Sequence, residues 1–384
     1  MIPYGKQEIN GDDIEAVLSV LRSEFLTQGP VVPRFEGAVA AYCSASHAVA
    51  VNSATSALHI ACLALGLKPG DRVWTSPITF VASANCALYC GATVDFVDID
   101  SKTYNISVRA LEEKLKVAQL QNRLPKIVIP VHMCGQSCDM KSIKELAQEF
   151  GFRIIEDASH AIGGKYRDAP IGSCRYSDIT VFSFHPVKII TTAEGGMALT
   201  NDDALAASME LLRSHGITRD PSRLTRSDGP WYYQQIALGF NYRMTELQAA
   251  LGLSQLSRLD KFVERRHQLA ERYDIRLARQ VSLLTPWRDP LMYSSLHLYV
   301  VRLPKVSPEF RRLAFERLRS AGIGVQVHYI PVHTQPYYEK LGFRLGDFPE
   351  AESFYEDALS LPIFPTLTFE QQDIVISEIV ELLN

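Results

Sequence analysis

The chain has 384 residues, a formal net charge of -4, and a composition that is 47% hydrophobic and 21% charged. These proportions are typical of a folded protein of one or two domains and exclude a disordered chain. The balanced charge favours neither nucleic acid nor an anionic membrane as a partner. No apolar run approaches the ~18 residues of a membrane span, and the first residues lack the apolar segment of a signal peptide. The sequence therefore predicts a cytoplasmic protein.

The seven cysteines are odd in number and lie in apolar surroundings, a pattern typical of reduced, buried thiols. Two pairs, Cys86/Cys90 and Cys134/Cys138, have i,i+4 spacing. Neither pair is completed by a Cys-x-x-Cys or a His-x-x-x-His arrangement that would give a tetrahedral ligand set, so no metal site is predicted.

Short apolar runs alternate with amphipathic segments along the first half of the chain. A helix is predicted near Gly11, followed by a turn-rich stretch. The pattern then predicts strands at 48–51, 72–75, 93–97, 126–131, 152–155, 178–183 and 196–200, with helices at 55–65, 81–89, 107–116, 140–150 and from 200 to 214. Strands that alternate with helices run parallel, so we expect an α/β domain with a mostly parallel sheet covered on both faces.

The second half of the chain lacks this regular alternation of strands and helices. A polar segment at 218–233 is either a flexible loop or a segment that orders on a ligand or partner. A single long helix is predicted at 244–278 as a connector, and after it come strands at 296–303 and 324–328 around a helix at 309–320. We expect a large domain at 1–250 and a smaller α+β domain at 251–384, with the N-terminal segment able to pack on the small domain.

Lys188 lies between two predicted strands among apolar residues, with no other charge before Glu194. Burying an ammonium group is costly, and most lysines in such loops extend to solvent. The alternative is an amine whose pKa is lowered by burial and which forms a Schiff base with an aldehyde. Lys188 alone does not decide between the two.

Polar residues follow predicted strand ends, where open parallel sheets bind ligands. Thr55 and Ser56 stand in a strand-to-helix turn that could hold a phosphate, although Ser and Thr also cap helices without a ligand. Asp157 ends a strand, where a buried carboxylate needs a partner; a protonated pyridine, a helix cap and Mg²⁺ are the alternatives. His160 is either close to the same ring or a structural histidine.

Two further residues complete the set. Phe80 follows another strand and either stacks on a ring or packs in the core. Ser183 ends the strand before Lys188, where its hydroxyl suits a phosphate. The chain order of these features, a possible phosphate-binding turn at Thr55 and Ser56, then Phe80, Asp157 and Lys188, favours pyridoxal 5'-phosphate as the cofactor. The Gly-x-x-x-x-Gly-Lys-Ser/Thr and Gly-x-Gly-x-x-Gly loops of nucleotide enzymes are absent from the sequence.

Several motifs resemble those of the DegT/DnrJ-type sugar-nucleotide aminotransferases across essentially the whole chain. They are Ala54-Thr-Ser-Ala-Leu-His59, Glu156-Asp-Ala-Ser-His-Ala161, Ser183-Phe-His-Pro-Val-Lys188 with Thr192-Ala-Glu-Gly-Gly196, Gly239-Phe-Asn-Tyr-Arg-Met-Thr-Glu-Leu-Gln248, and Gly322-Ile-Gly-Val-Gln-Val-His328. The resemblance implies an aspartate-aminotransferase-like fold (fold type I of pyridoxal phosphate enzymes), a homodimer with shared active sites, and L-glutamate as the amino donor.

The resemblance also implies a role for individual residues. Lys188 would carry the cofactor aldehyde as the catalytic amine, and Asp157 would pair with the ring nitrogen. The remaining implied contacts are Thr55, Ser56 and Ser183 on the phosphate, Phe80 on the ring face, His160 near the ring oxygen, and Asn241 on the phosphate of the neighbouring subunit.

The stretch His328-Tyr-Ile-Pro-Val-His-Thr-Gln-Pro-Tyr-Tyr338 is most similar to members that aminate a UDP-4-keto-6-deoxy-N-acetyl-β-L-altrosamine for pseudaminic acid. Transfer to the C4 ketone of such a UDP-sugar is therefore the expected reaction. Amination of another nucleotide-linked keto sugar at C3 or C4 remains an alternative, as does a pyridoxamine-phosphate dehydratase, in which histidine replaces the lysine. The candidate substrate contacts, each also readable as a rim or packing residue, are Tyr4, Lys6, Thr27, His185, His328, His333 and Tyr337.

Overall fold

In a computed structural model, the chain is described at residues 1–304 and 308–383. The helices are α1 (Gly11–Leu21), α2 (Val31–Cys43), α3 (Ala54–Ala64), α4 (Ala82–Tyr89), α5 (Val108–Leu120), α6 (Met140–Phe150), α7 (Asp203–Arg213), α8 (Glu246–Leu256), α9 (Leu259–Leu277), α10 (Pro308–Ser320), α11 (Pro336–Glu339), α12 (Pro349–Asp357) and α13 (Phe369–Leu383). The strands are β1 (His47–Val51), β2 (Arg72–Thr75), β3 (Thr93–Phe96), β4 (Ile127–Ile129), β5 (Arg153–Asp157), β6 (Lys165–Tyr166), β7 (Ala169–Pro170), β8 (Ile179–Ser183), β9 (Gly196–Thr200), β10 (Ile217–Thr218), β11 (Gln234–Gln235), β12 (Met292–Tyr293), β13 (Tyr299–Arg302) and β14 (Ala358–Leu361).

Seven strands form the central sheet in the order β1-β9-β8-β5-β4-β2-β3. The strand β9 runs antiparallel to both of its neighbours, while the pairs from β8 through β5, β4 and β2 to β3 are parallel. The expectation of a mostly parallel sheet is therefore confirmed. Its carboxyl edge brings together the ends of β1, β5 and β8, which the sequence marks as ligand positions.

Helices cover both faces of this sheet. Along β5, Ile155 packs in a buried cluster with Leu58 of α3, whereas its neighbour Ile154 packs in another cluster with Leu111 of α5 and Ile143 of α6. Successive strand residues point to opposite faces, so the continuous apolar run of β5 is explained by burial on both sides.

A further hydrophobic cluster holds side chains of α9, α10, β13, β14 and α13 together with Ile2 from the N-terminal segment. The backbone N–H of Ile2 donates to Gly322 O at 2.7 Å, and that of Gly324 donates to Ile2 O at 2.6 Å. The division of the chain at 250/251 stays a prediction. Within residues 1–304 and 308–383, no helix is both long and apolar enough to cross a bilayer.

Two predicted elements are wrong. The helix expected at 244–278 is two helices, α8 and α9, because the backbone leaves helical geometry at Arg258, with φ -112° and ψ 3°. At this break the Ser257 hydroxyl donates to the backbone O of Ser254 at 2.6 Å, a local bond that competes with helix continuation. The strand expected at 324–328 is absent as well, since the backbone there bonds to Ile2 and forms only an isolated bridge to Ser360.

Candidate active site

The helix α3 begins three residues after the end of β1. Ser53 is its N-cap, in extended backbone geometry, and its hydroxyl oxygen accepts the N–H of Ser56 at 3.1 Å. The Ser56 hydroxyl in turn donates to Asn52 Oδ1 at 2.7 Å. Because the first turn of a helix carries free N–H groups and the positive end of its dipole, this hydroxyl-rich turn suits an anion such as a phosphate.

Gly196, the first residue of β9, allows this strand to approach the turn at the start of α3. In the sheet it pairs with Val51 on one side and with Ser183 on the other. A Cβ built on Gly196 would lie 2.5 Å from the backbone N of Ala54, closer than any side chain tolerates. The absence of a side chain at this position therefore brings Ser183 and the start of α3 to the same end of the sheet.

Asp157 is the last residue of β5, and its side chain is buried. One carboxylate oxygen accepts the N–H and the hydroxyl of Ser159 at 3.1 and 2.6 Å, and the other accepts the Ser83 hydroxyl at 2.6 Å. These donors stabilise the ionised carboxylate. Among the ion pairs of residues 1–304 and 308–383, none uses Asp157, so its charge is available to a cation in the cavity.

Lys188 lies in a tightly bonded loop between β8 and β9. Both the Thr192 N–H and the Thr191 hydroxyl donate to Phe184 O at 3.0 Å, and Gln248 Nε2 donates to Glu194 O at 2.6 Å. Burial lowers the pKa of the Lys188 amine to about 8, and the attraction of Asp157 partly opposes that shift. The loop therefore presents an amine that is neutral far more often than an ordinary lysine.

Three imidazoles surround this amine. Burial, followed by repulsion from Lys188, lowers the pKa of His328 to about 3, and burial likewise lowers the pKa values of His160 and His297. His160 Nε2 lies 3.1 Å from the Tyr329 hydroxyl, and the rings of His160 and His297 have centroids 4.4 Å apart. All three histidines are neutral near pH 7, which leaves Lys188 and Asp157 as the charges at the base of the site.

These groups border one cavity of about 870 Å³, a size that accommodates a cofactor and part of a substrate. The predicted residues that line it are Tyr4, Thr55, Ser56, Phe80, Asp157, His160, Ser183, His185, Lys188 and His328. Phe80 stands at the mouth, 60% exposed, with its ring centroid 6.4 Å from that of Tyr329. The structure thus brings Lys188, Asp157, the turn at Thr55 and Ser56, and Phe80 to the same cavity.

The other predicted residues do not line this cavity. His333 is fully buried, and its Nε2 lies 2.8 Å from Glu352, a position that does not fit its expected contact with a substrate. Tyr337 lines a separate groove beside Tyr89, and Lys6 and Thr27 are exposed and are not among the residues that line the cavity. Asn241 is exposed too, although its backbone O lies 3.5 Å from Asn52 Nδ2, beside the turn at the start of α3.

Further cavity residues were not predicted from the sequence. Those with polar side chains are Asn52, Ser53, Thr79, Ser159, Glu194, Gln248, His297 and Tyr329. Ser83 acts through its bond to Asp157. Ser159 and Tyr329 adjoin predicted residues, and that adjacency was a usable signal. Ser83 and His297 carry no such signal, because only packing brings α4 and the segment before β13 to the end of β5.

Curated relatives match this chain over nearly its whole length. The spore coat polysaccharide biosynthesis protein SpsC of Bacillus subtilis is 40% identical, over 100% of this chain and 97% of its own. A UDP-4-amino-4,6-dideoxy-N-acetyl-beta-L-altrosamine transaminase of Campylobacter jejuni is 41% identical over 94% and 92% of the two chains. GDP-perosamine synthase of Caulobacter vibrioides is 38% identical over 100% and 98%.

Solved structures agree with these relatives. PseC of Helicobacter pylori, an aminotransferase in pseudaminic acid biosynthesis, superposes with a TM-score of 0.91 at 32% identity, over 100% of this chain and 99% of its own. The PLP-form of Spr1654 from Streptococcus pneumoniae gives 0.89 at 30% identity, over 100% of both chains. The fold predicted from the motifs, aspartate-aminotransferase-like with a mostly parallel sheet, is confirmed.

The model of the DegT/DnrJ/EryC1/StrS aminotransferase family matches residues 7–380. The family resemblance inferred from the motifs is thereby confirmed, and the chain is a transaminase. It belongs to the DegT/DnrJ/EryC1/StrS aminotransferase family.

Proposed function

We propose that this chain uses pyridoxal 5'-phosphate to transfer the amino group of L-glutamate to the C4 ketone of a UDP-4-keto-6-deoxy-N-acetylhexosamine of the altrosamine type. The observation that carries the chemistry is that the amine of Lys188 and the carboxylate of Asp157 face one cavity. The substrate is supported by the names of the Campylobacter jejuni relative and of PseC.

The residues present fit the cofactor. The turn at Thr55 and Ser56, with Ser183 beside it, suits the phosphate, and the unpaired Asp157 suits a protonated ring nitrogen. When bound, pyridoxal phosphate supplies an electron sink for charge that develops at carbon. The protein supplies binding, orientation and the electrostatics that keep the ring nitrogen protonated.

Lys188 then has two tasks. Its amine would hold the cofactor through the aldehyde. As a free amine it would accept a proton from the α-carbon of glutamate and, in the second half of the reaction, deliver one to C4 of the sugar. A pKa of about 8 suits both directions of proton transfer near neutral pH. The neutral His160, His297 and His328 add no positive charge that would disfavour protonation of this amine.

The outer part of the cavity takes the nucleotide sugar. Tyr4 and His185 line it, and the ring of Tyr4 lies with its centroid 5.3 Å from that of His328 deeper in the cavity, an aromatic side on which a sugar or base can pack. We further propose a cytoplasmic homodimer in which Asn241 of a second copy completes the phosphate site. Its exposed position near the turn at Asn52 is compatible with such a shared edge.

The test combines the variant Lys188→Ala with a substrate panel. The variant should fold normally but lose at least ~100-fold in turnover, because a positioned acid–base group contributes about 10²–10⁴-fold. Borohydride should fix the cofactor to Lys188 in the parent protein and leave the variant unlabelled. Parent-like turnover in Lys188→Ala, or a cofactor adduct on another lysine, would refute the proposal.

A GDP-linked 4-keto sugar is a second candidate, favoured by the 38% identity to a GDP-perosamine synthase. A coupled glutamate assay over UDP-, GDP- and dTDP-linked 4-keto sugars separates the two. The highest kcat/KM should be found with the UDP-linked N-acetylated sugar. A clear preference for the GDP-sugar would overturn the substrate assignment and leave the transaminase chemistry intact.

A further inference from the structure

A buried hydroxyl on β14 contacts a histidine in the wall of the cavity. The Ser360 Oγ lies 2.8 Å from Nδ1 of His328, and His328 lines the cavity. Ser360 is fully buried, and its backbone N–H donates to Gln326 O at 2.8 Å, which holds β14 beside the segment that carries His328. The position of this imidazole is therefore tied to a strand that does not itself line the site.

The imidazole of His328 carries one hydrogen, which either ring nitrogen can hold. Burial, followed by repulsion from Lys188, lowers the pKa of His328 to about 3, so the ring is neutral near pH 7. Two arrangements are then compatible with the contact to Ser360. Either Nδ1–H donates to the Ser360 Oγ and Nε2 is a bare acceptor, or the Ser360 hydroxyl donates to Nδ1 and Nε2 carries the hydrogen.

The surroundings of Ser360 favour the second arrangement. Its hydroxyl makes no hydrogen bond other than the one to His328 within residues 1–304 and 308–383. In the first arrangement the hydroxyl hydrogen would therefore be buried without an acceptor, which costs free energy. In the second arrangement Ser360 donates its only hydroxyl hydrogen to Nδ1, and no donor at this contact is left unused.

The opposite end of the ring, Nε2, is available to a ligand. His328 is only 7% exposed, yet its Nε2 makes no hydrogen bond to any residue that the structure describes. The ring is held between two aromatic neighbours, with centroids 5.3 Å from that of Tyr4 and 4.9 Å from that of Tyr329. A polar atom that is so deeply placed in a cavity wall and lacks a protein partner indicates a contact with a bound molecule.

We propose that Ser360 holds His328 as the Nε2–H tautomer and that this N–H donates to a carbonyl or hydroxyl oxygen of the keto sugar. A neutral donor suits a neutral oxygen, whereas the carboxylates of glutamate are stabilised much better by a charged donor. The Tyr4 ring beside His328 adds an apolar face for the same sugar. Ser360 is thus a positioning residue that acts through His328. The inference rests on the proposed function, because it names a contact of that substrate.

The first experiment determines the tautomer without any substrate. The holoenzyme is prepared with isotope-labelled histidine, and the proton–nitrogen NMR signals of His328 are identified as those missing from His328→Gln. The hydrogen should be found on Nε2 in the parent protein at pH 7. A hydrogen on Nδ1 would overturn the proposal.

Kinetics separate this contact from the rest of the reaction. Ser360→Ala should lower kcat/KM for the keto sugar that the parent uses best by about two- to tenfold, the range for one lost neutral hydrogen bond, and leave the reaction of the cofactor with glutamate unchanged. Ser295→Ala is the matched control, because Ser295 is also fully buried but its hydroxyl has no hydrogen-bond partner among the described residues. An unchanged value for the sugar in Ser360→Ala, or an equal loss for glutamate, would overturn the proposal.

Two replacements of His328 test which end of the ring donates. The amide nitrogen of glutamine reaches about the position of Nε2, whereas that of asparagine reaches about the position of Nδ1. His328→Gln should therefore exceed His328→Asn in kcat/KM for the sugar by about two- to tenfold. Equal values, or a higher value in His328→Asn, would refute donation by Nε2. A parent protein whose cofactor does not react with glutamate would refute the proposed function instead, and the tautomer measurement would be unaffected.

Discussion

Replacing Asp157 with asparagine should make Lys188 more often neutral and yet slow the reaction. With a pKa of about 8, about half of the Lys188 amine is neutral at pH 8, whereas an ordinary lysine with a pKa near 10.4 is neutral to about 0.4%, a difference of roughly 100-fold. The Asp157 carboxylate favours the ammonium form. Its removal should therefore lower the pKa of Lys188 below 8 and raise the neutral fraction at pH 7 above its parent value of about a tenth.

Competitive labelling of the cofactor-free protein with acetic anhydride measures the pKa of the Lys188 amine directly. Aliquots labelled between pH 6 and pH 11 are digested, and the acetylated fraction of the Lys188 peptide is followed by mass spectrometry. The labelling midpoint should fall near pH 8 in the parent and at a lower pH in Asp157→Asn. Turnover of the loaded Asp157→Asn enzyme should nevertheless fall, because the amide carries no charge to keep the ring nitrogen protonated.

Glu194→Gln is the matched control. Glu194 also lines the cavity, but Asp157 is the charge that shifts Lys188, so the midpoint should stay at its parent value. The reasoning fails if the parent midpoint lies near pH 10, or if Asp157→Asn raises it.

Three further substitutions test the scaffold of the site. Ser83→Ala removes a 2.6 Å hydrogen bond to the Asp157 carboxylate, worth about 1.5–3 kcal/mol, and should lower turnover about tenfold or more, with recovery in Ser83→Thr as the check. Gly196→Ala forces a Cβ to 2.5 Å from the Ala54 N. It should lower the free energy of unfolding in urea by about 1–3 kcal/mol and should also lower the affinity for the cofactor. Gly37→Ala is the control, because a Cβ there has open space around it, and its unfolding free energy should be unchanged or higher. Glu246→Ala leaves the N–H groups of Val31 and Val32 without their carboxylate acceptor. The free energy of unfolding should fall by about 1–3 kcal/mol, with little change in the KM for glutamate. An unchanged unfolding midpoint would contradict this prediction.

The motif at 239–248 illustrates what a sequence pattern predicts and what it leaves undetermined. Its Thr245 and Gln248 form a capping box at the start of α8, and Glu246 accepts N–H groups at the start of α2. Gln248 also donates to Glu194 O in the lysine loop. The pattern identified the family, but it did not reveal that Glu246 holds the start of α2 or that Gln248 holds the loop that carries Lys188.

The sequence by itself determined the alternation of strands and helices, the mostly parallel sheet, and the amine, acid and turn of the site. Each of these depends on local rules: short apolar runs, helix starts, and polar residues at strand ends. Tertiary structure alone decided that α8 and α9 are separate helices and that His333 is buried against Glu352. It also decided that His297 and Tyr329 line the cavity and that Ser83 bonds Asp157. These outcomes depend on contacts between residues distant in the chain, such as the 74 positions between Ser83 and Asp157, which no local pattern encodes.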